Sequence, residues 1–247
     1  MTRRRQYRLV RTLKGKLAWF AYQRIHAFYY RFLFGHDSMP ANKLKQIIQP
    51  IEKARRKGDI PVPPEVWEDA YRNGKTDHMK QLTECPRYSI VGGYISYLKP
   101  DGDILDVGCG NGLLLDRYTP SGNSTYLGID ISQCALDSIK QRNNANIHLR
   151  MVNAETYEPK DKYDVIVFNE SLYYLNDPLK VFRRYIMSAK RDGIVVVSTS
   201  SNSPRAKAIL RCLKKEYDLL DETVTTNSKA MSSWICTVFT PNEKPLP

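Results

Sequence analysis

Residues 104–115 read Ile-Leu-Asp-Val-Gly-Cys-Gly-Asn-Gly-Leu-Leu-Leu, and this stretch decides the fold. A short run of strand-forming residues, 104–107, leads into alternating glycines at positions 108, 110 and 112, and an apolar segment follows them. Glycine lets the chain turn sharply and brings its backbone close to a bound group, at the positive end of a following helix. We therefore predict a buried strand, a tight bend that contacts a ligand, and a helix over Leu113–Tyr118.

The spacing of these glycines argues against two common nucleotide-binding loops. A dinucleotide fingerprint, G-x-G-x-x-G, needs a glycine three residues after Gly110, where this chain has Leu113. The phosphate-binding loop needs a lysine directly after its last glycine, whereas Gly112 is again followed by Leu113. The pattern D-x-G-x-G-x-G therefore disfavours an oxidoreductase that binds a dinucleotide and a nucleoside triphosphatase.

Strand and helix patterns alternate from this stretch to the end of the chain. Strands are predicted over Asp103–Gly108, Thr125–Asp130, Asn146–Val152, Tyr163–Asn169, Gly193–Thr199, Tyr217–Val224 and Ser233–Thr240. Further helices are predicted over Ser132–Asn143, Pro178–Lys190 and Pro204–Lys214. This alternation predicts an α/β fold with a doubly wound, mostly parallel seven-stranded sheet and a ligand site at the carboxyl ends of its central strands. The last two strands have no clear helix between them and could form an antiparallel hairpin at one edge.

Composition divides the 247 residues into three regions. Residues 1–36 form a basic, aromatic N-terminal arm, residues 37–100 a polar helical cap or lid segment, and residues 101–247 the α/β core. The fold is therefore expected to carry an N-terminal helical extension. The length suits one such domain with additions, and it is too short for two large domains.

The glycine bend and the tips of the next three strands resemble the class I S-adenosylmethionine-dependent methyltransferases, over about residues 101–200. The resemblance implies a Rossmann-like core, S-adenosylmethionine as cofactor, and ribose binding by the carboxylate of Asp130. Asp130 could instead cap the helix that starts at Ser132. The family more often has Asp where this chain has Asn153. The cofactor-binding residues that the resemblance implies are Tyr71, Arg87, Asp106, Gly108, Cys109, Gly110, Asp130, Ile131, Asn153, Ala154, Glu155 and Asn169.

Residues 65–74 and 86–88 resemble the N-terminal cap of small-molecule members of this family, in which a helix with Trp and Tyr folds over the cofactor. Tyr71 could offer its ring to the sulfonium or its hydroxyl to the methionine carboxylate. The alternative is that Trp67 and Tyr71, spaced i and i+4, are one apolar stripe packed on the core.

Glu170 is the candidate general base because it follows the fourth strand, at the family's junction between cofactor and substrate. It could instead hydrogen-bond the methionine ammonium or a backbone amide. Tyr173 and Tyr174 are expected to line the acceptor pocket or to pack against the sheet. The four histidines are scattered along the chain, so no metal site is expected.

The acceptor is expected to be a hydroxyl or amine of a small molecule, saccharide-like or lipid-linked. RNA or another nucleic acid is the second choice, because the positive charge is concentrated far from the predicted site. A catalytically inactive module that binds S-adenosylmethionine, and an adaptor whose arm is its function, stay open as alternatives.

The arm supplies most of the net charge of +12. It contains no Asp or Glu, and its cations are Arg3, Arg4, Arg5, Arg8, Arg11, Lys14, Lys16, Arg24 and Arg31. Interleaved cations and aromatic side chains favour a helix lying on an anionic membrane surface, and polar residues interrupt the apolar run too often for a comfortable span. Packing on the core, contact with RNA and a mitochondrial targeting segment are the alternatives.

Cysteine usage indicates the compartment. The five cysteines have no close pairing and no C-x-x-C, so we expect neither a disulfide framework nor zinc. The expected location is the cytoplasm, peripheral to the membrane if the arm binds lipid.

Overall fold

The computed structural model describes residues 13–55, 62–120, 122–140 and 144–243. These form two compact units, Met1–Arg56 and Lys57–Pro247. The boundaries at residues 36 and 100 that composition predicts differ from this division and remain predictions. Five of the nine cations of the arm, Arg3, Arg4, Arg5, Arg8 and Arg11, lie outside the described residues.

Residues 13–55, the described part of the first unit, form two helices. Helix α1, Leu13–Phe28, continues into one π-helical turn, Tyr29–Leu33, and helix α2 spans Met39–Arg55. Gly35 lies between them with φ +83°, a conformation that favours glycine. No helix in the described part of the chain is long and apolar enough to cross a membrane.

The second unit holds the sheet and the remaining helices. Its helices are α3 (Pro64–Arg72), α4 (Cys85–Leu98), α5 (Gln133–Lys140), α6 (Pro178–Ile186) and α7 (Pro204–Glu216). Its strands are β1 (Ile104–Val107), β2 (Tyr126–Asp130), β3 (Ile147–Met151), β4 (Tyr163–Asn169), β5 (Ala189–Ser200), β6 (Tyr217–Asn227) and β7 (Ser232–Glu243). Short 3₁₀ turns cover Asp77–Lys80, Leu82–Glu84, Leu113–Asp116 and Leu172–Tyr174.

The seven strands form one sheet in the order β3-β2-β1-β4-β5-β7-β6. Strands β1 to β5 are parallel, and β7 pairs antiparallel with both β5 and β6. This confirms the predicted doubly wound, mostly parallel sheet of seven strands and the antiparallel hairpin at one edge. The chain order reverses between β1 and β4, so the tips of these two strands border the crevice where such sheets bind ligands.

The central strands are buried on both faces, as their runs of apolar residues predict. In β4 every residue from Val165 to Phe168 is fully buried. The ring of Phe168 packs against Phe182 of α6 at 5.9 Å between centroids, and Phe182 in turn contacts Phe239 of β7 at 5.7 Å. This packing holds the carboxyl ends of the central strands, where the predicted site lies, in fixed positions.

Two helix starts follow their sequence signals. Asp177 accepts a hydrogen bond from the backbone N–H of Lys180 (3.2 Å) at the start of α6, and Ser203 accepts one from Ala206 (2.9 Å) at the start of α7. In both helices proline occupies the first position, where no amide donor is needed.

Two helix predictions were wrong in extent. Helix α6 ends at Ile186 and not at Lys190, because β5 already starts at Ala189, which pairs with Tyr163. The helix predicted over Leu113–Tyr118 is only a 3₁₀ turn, Leu113–Asp116. Pro120 follows closely, and a proline disfavours helical conformation in the residue before it. A turn this short supplies little helix dipole at the bend.

Candidate active site

The bend after β1 is held in a conformation that requires glycine. Gly108, Gly110 and Gly112 have φ of +75°, +55° and +70°, a region that other residues rarely adopt. A Cβ atom at Gly108 would lie 2.6 Å from Cβ of Ser171, so the bend also packs against the tip of β4. The amides of Gly108 and Cys109 donate to the carbonyl of Ile129 at 2.8 and 3.0 Å, which ties the bend to β2.

Asp130, at the tip of β2, is hydrogen-bonded directly to the bend. Its Oδ2 accepts a hydrogen bond from the amide of Gly110 (2.8 Å), and its Oδ1 accepts one from the amide of Ser132 (2.9 Å). Burial raises the pKa of this carboxyl, and the two amides act against that shift. Helix α5 is capped by Ser132, whose Oγ accepts from the amide of Ala135 at 3.2 Å, so α5 has a cap of its own.

Asp106, at the end of β1, is buried with fewer partners. Its Oδ2 accepts a hydrogen bond from the hydroxyl of Tyr126 at 2.7 Å. Its Oδ1 is buried and has no hydrogen-bond partner among the described residues. Burial raises the pKa of Asp106 to about 7, so the group is poised between its neutral and charged forms near neutral pH.

Arg87 of α4 brings a buried cation to the same neighbourhood. Its Nη1 donates to Oδ1 of Asn169 (2.6 Å), and its Nη2 donates to the carboxylate of Glu84 (3.0 Å). Its Nε is buried without a hydrogen-bond partner in the described part of the chain. The guanidinium of Arg87 lies 4.1 Å from the centre of the Tyr88 ring, and burial raises the pKa of the Tyr88 hydroxyl while the charge of Arg87 acts against that shift.

The tip of β4 is strained and fixed by buried contacts. Glu170 has φ +58°, which is uncommon for a residue other than glycine and is typical of functional sites. The hydroxyl of Tyr173 donates to its Oε2 at 2.5 Å. The side chain of Arg205 donates to the carbonyls of Tyr173 (2.9 Å) and Leu175 (2.6 Å), and thereby holds the turn that follows Glu170.

Helix α3 lies over the bend. The carboxylate of Glu68 accepts hydrogen bonds from Oγ of Ser132 (2.7 Å) and from the amide of Cys134 (3.2 Å), at the start of α5. A Cβ atom at Gly110 would lie 2.5 Å from the hydroxyl of Tyr71, so this side chain occupies the space above the bend. The ring of Trp67 meets Tyr174 edge-on at 5.1 Å.

The residues after β3 form a turn at the same edge of the sheet. Oδ1 of Asn153 accepts from the amide of Glu155 at 2.8 Å, and the carbonyl of Ala154 accepts from Arg184 at 2.6 Å. The carboxylate of Glu155 accepts from the side-chain amide of Asn176 at 2.8 and 2.9 Å. This turn is braced from the loop before α6 and from α6 itself.

The structure thus groups most of the predicted site residues into two clusters. The first surrounds the bend and contains Tyr71, Gly108, Cys109, Gly110, Asp130 and Ile131. The second surrounds the tip of β4 and contains Arg87, Asn169, Glu170, Tyr173 and Tyr174. Asp106 is the next-to-last residue of β1, just before the bend, and Asn153, Ala154 and Glu155 form the turn after β3.

Three residues of these clusters escaped sequence reasoning: Glu68, Tyr126 and Ser198. The hydroxyl of Ser198 donates to Oδ1 of Asn169 at 2.6 Å, and a serine after four apolar residues in β5 was a signal for it. Asp106 is in register with Gly128, two residues beyond Tyr126, and this register is visible only in the sheet. Nothing in the sequence joins Glu68 to Ser132, 64 positions away. No group of three or more metal-ligating side chains occurs among the described residues.

Comparison with known proteins adds a family and a fold. The profile of a family described as a methyltransferase domain matches residues 88–229. A malonyl-[acyl-carrier protein] O-methyltransferase of Acetivibrio thermocellus is 35% identical over 102 residues, which cover 39% of this chain and 35% of that protein. A ubiquinone biosynthesis O-methyltransferase of Nitrosospira multiformis is 34% identical over 109 residues, covering 42% of this chain and 45% of that protein. The chain thus spans less than half the length of these curated relatives.

Solved structures share the fold at low sequence identity. An N-methyltransferase of Bradyrhizobium japonicum in complex with S-adenosyl-L-homocysteine has a TM-score of 0.57 at 17% identity, over 67% of this chain and 89% of that one. An N1-methyltransferase of Burkholderia thailandensis, with bound 1,6-didemethyltoxoflavin and S-adenosylhomocysteine, has a TM-score of 0.58 at 14% identity, over 73% and 86%. At these identities the likeness concerns the fold alone.

Proposed function

Because the chain belongs to the methyltransferase domain family, we propose that it transfers the methyl group of S-adenosylmethionine to a small acceptor. The acceptor atom is a hydroxyl oxygen or an amine nitrogen, on a saccharide-like or lipid-linked molecule. The tips of β1, β2 and β4 bind the cofactor, and Glu170 is the general base that removes a proton from the acceptor.

One observation carries this proposal: two buried polar atoms, one beside the tip of β4 and one just before the bend, lack hydrogen-bond partners among the described residues. Oδ1 of Asp106 is an acceptor and Nε of Arg87 is a donor, and each is without a partner among the described residues. A buried polar group without a partner is unfavourable by about 1–3 kcal/mol, so native proteins rarely keep one without a use. The ammonium and the carboxylate at the methionine end of the cofactor complement these two atoms.

The bend can accept the cofactor once the side chain of Tyr71, in α3, moves away from Gly110. The missing Cβ atom at Gly110 lets a ligand approach the backbone of the bend closely once Tyr71 has moved. In this structure the hydroxyl of Tyr71 lies at Gly110, so binding requires Tyr71 to move from that place. Its ring would then face the bound sulfonium as a cation–π partner.

The remaining polar groups suit the adenosine end. We assign Asp130 and Ile131 to the ribose and the turn of Asn153, Ala154 and Glu155 to the adenine. Asp130 already accepts two backbone hydrogen bonds, and a carboxylate has lone pairs for further donors such as ribose hydroxyls.

The cofactor supplies an activated methyl group on a sulfonium, and the protein supplies position and a base. Asn169 and Cys109 complete the cofactor's surroundings at the bend and the tip of β4. The carboxylate of Glu170 would accept the proton of the acceptor atom, as the bond from that atom to the methyl carbon forms and the bond from that carbon to sulfur breaks, releasing the thioether. The hydroxyl of Tyr173 keeps this carboxylate in place, and its pKa is well above the usual value because of burial and the charge of Glu170. Tyr173 therefore stays a hydrogen-bond donor at neutral pH.

The acceptor class and the cellular setting are proposed from the similar proteins and from the composition of the chain. Both O- and N-methyltransferases occur among the similar proteins. A lipid-linked acceptor would bring the enzyme to a membrane, and the acid-free arm of residues 1–36 suits an anionic membrane surface. Cysteines without close pairing support a reducing, cytoplasmic setting.

The test combines binding with turnover. Calorimetry with S-adenosylhomocysteine is expected to show binding, and transfer of a labelled methyl group is then assayed on saccharides, lipid-linked glycans, amines and RNA. Glu170→Gln is expected to lower kcat by about 10²- to 10⁴-fold and to change the Kd of S-adenosylhomocysteine by less than threefold. Glu158→Gln, at an exposed position, is the matched control and keeps full turnover.

Each other result has a definite meaning. Equal losses of kcat and affinity in Glu170→Gln would make Glu170 a cofactor ligand and not the base. Binding without transfer to any acceptor would identify an inactive binding module, and transfer to RNA alone would replace the small acceptor. No binding of S-adenosylhomocysteine would refute the proposal as a whole.

A further inference from the structure

Helix α1 and its π-helical turn carry two aromatic stripes of different composition. The first runs along Trp19, Tyr22, His26 and Tyr30, whose rings contact one another in sequence at 5.3, 5.5 and 4.7 Å between centroids. The second, which we call the exposed stripe, consists of Phe20, Arg24, Ile25, Phe28, Arg31 and Phe32.

The exposed stripe reverses the usual distribution of side chains. Phe20, Phe28 and Phe32 are 57%, 50% and 53% exposed, whereas the other four phenylalanines of the chain are buried. The purely apolar rings thus face outward, while the rings with polar atoms, Trp19 and Tyr22, are half-buried on the other stripe. A helix in water would place these two kinds of ring the other way round, so the exposed stripe is built for an apolar surrounding.

The cations are placed among these rings. The guanidinium of Arg24 lies 5.6 Å from the centre of the Phe20 ring, and that of Arg31 lies 5.4 Å from the Phe32 ring. The rings of Phe28 and Phe32 are in contact at 5.1 Å. Apolar rings bordered by cations complement the acyl chains and phosphates of an anionic lipid surface.

We propose that the exposed stripe inserts into the interface of an anionic membrane, with its three phenylalanine rings below the phosphates and Arg24 and Arg31 on them. The absence of any acidic residue from positions 1–36 favours this partner, because no carboxylate repels the lipid. RNA is the competing partner, because bases can stack on exposed rings, but the exposed aliphatic Ile25 in the same stripe favours lipid over bases. The inference rests on residues 20–32 and does not depend on methyl transfer.

The experiment measures binding of the full chain to vesicles. Vesicles of phosphatidylcholine with phosphatidylserine are expected to bind the protein, and vesicles of phosphatidylcholine alone to bind it at least about tenfold more weakly. Replacing Phe20, Phe28 and Phe32 together by Ser is expected to weaken binding at least about tenfold. The double variant Arg24→Gln, Arg31→Gln is expected to weaken it about 25-fold, at roughly fivefold for each cation near the surface.

The matched controls remove exposed apolar or cationic side chains that lie outside the exposed stripe. The triple variant Leu82→Ser, Tyr97→Ser, Met231→Ser removes exposed apolar side chains of the second unit and should bind like the parent protein. The double variant Lys43→Gln, Lys45→Gln removes exposed cations of α2. It should weaken vesicle binding less than the double variant Arg24→Gln, Arg31→Gln does. Replacing the three phenylalanines by Leu preserves apolar area and should keep binding, which separates insertion from a defect in folding.

Three outcomes would overturn the proposal. One is equal binding by the parent chain and the phenylalanine-to-serine variant. Another is RNA binding that depends on Arg24 and Arg31 without any vesicle binding. The third is a dimer in sedimentation that the serine variant dissociates while vesicle binding stays unchanged.

Discussion

The carboxylates at the tips of β1 and β2, Asp106 and Asp130, are alike in type and burial and differ in their partners. Asp130 accepts backbone hydrogen bonds on both oxygens, from Gly110 and Ser132. Asp106 accepts one, from the hydroxyl of Tyr126, and keeps a buried oxygen without a hydrogen-bond partner in the described part of the chain. Burial raises the pKa of both, and that of Asp106 reaches about 7.

This difference separates two duties within one bend. Asp130 is a clamp, because its bonds to the bend and to the residue that caps α5 exist before any ligand arrives. Asp106 is the carboxylate available to a ligand, because burying its charge is unfavourable until a cation binds beside it. A ligand ammonium would relieve at Asp106 a desolvation cost that backbone hydrogen bonds already counteract at Asp130. Three substitutions test this division.

The largest effect is expected from Asp106→Asn. Loss of the charge that pairs with the ligand ammonium should weaken S-adenosylhomocysteine binding by about 100-fold or more. The variant should also be more stable than the parent protein, because it no longer buries a carboxylate. The measurements are calorimetric Kd and Tm at pH 5 and pH 8.

The sign of the stability effect follows from the pKa of Asp106. In the folded chain the pKa is about 7, above the value of about 3.9 in an unfolded chain. The stability that this group contributes is therefore complete below about pH 4 and is lost as the pH rises through 7. The gain in Tm from Asp106→Asn should be larger at pH 8 than at pH 5. An exposed control, Asp161→Asn, should change neither Kd nor Tm, and a lower Tm in Asp106→Asn at pH 8 would contradict the account of Asp106.

A smaller loss of binding, with a loss of stability, is expected from Asp130→Asn. The amide group presents a donor to one of the two amides that the carboxylate now accepts from, so one hydrogen bond is lost and a donor is left unpaired. We expect the free energy of unfolding to fall by about 1–3 kcal/mol and the Kd to rise about tenfold. Denaturant unfolding and calorimetry measure both. If this variant keeps parental stability and loses more affinity than Asp106→Asn, then Asp130 binds the ligand ammonium and Asp106 stabilises the bend, the reverse of our assignment.

The smallest effect is expected from Tyr126→Phe, which removes the hydrogen bond to Oδ2 of Asp106. That bond favours the charged form, so its loss should raise the pKa of Asp106 further. Binding of S-adenosylhomocysteine by the parent chain should strengthen as the pH rises from 6 to 8. In Tyr126→Phe this rise should shift to higher pH, with a loss of a few-fold in affinity at pH 7. A pH profile that is flat in the parent chain would show that Asp106 does not titrate there.

The stretch around the glycines shows how far local sequence carries the prediction. Strand β1, the bend and β2 lie where the pattern of residues 103–130 puts them, because buried parallel strands and left-handed glycines leave direct marks in sequence. The segment after Gly112 shows the limit. The apolar run of three residues, Leu113 to Leu115, fits a helix and a 3₁₀ turn equally well, and the nearby Pro120 disfavours a longer helix.

The candidate site divides in the same way. The residue types at the strand tips, Asp106, Asp130 and Glu170, could be chosen from sequence because the tips of parallel strands meet at one edge of the sheet. The bond from Glu68 to the start of α5 could not be foreseen, because it joins two segments whose packing depends on the whole core.

Periodicity, glycine spacing and charge are properties of neighbouring residues, and they were enough to predict the seven-stranded α/β sheet, the glycine bend and the acid-free, aromatic character of the first 36 residues. The folded structure was needed to see which of the two buried carboxylates accepts hydrogen bonds on both oxygens and which has an oxygen without a hydrogen-bond partner among the described residues. It also decided that Tyr71 lies on Gly110 and that the phenylalanines of α1 face outward. The physical reason is that hydrogen bonding and burial depend on groups brought together across the sheet and between helices, and those distances are not written in the local order of the chain.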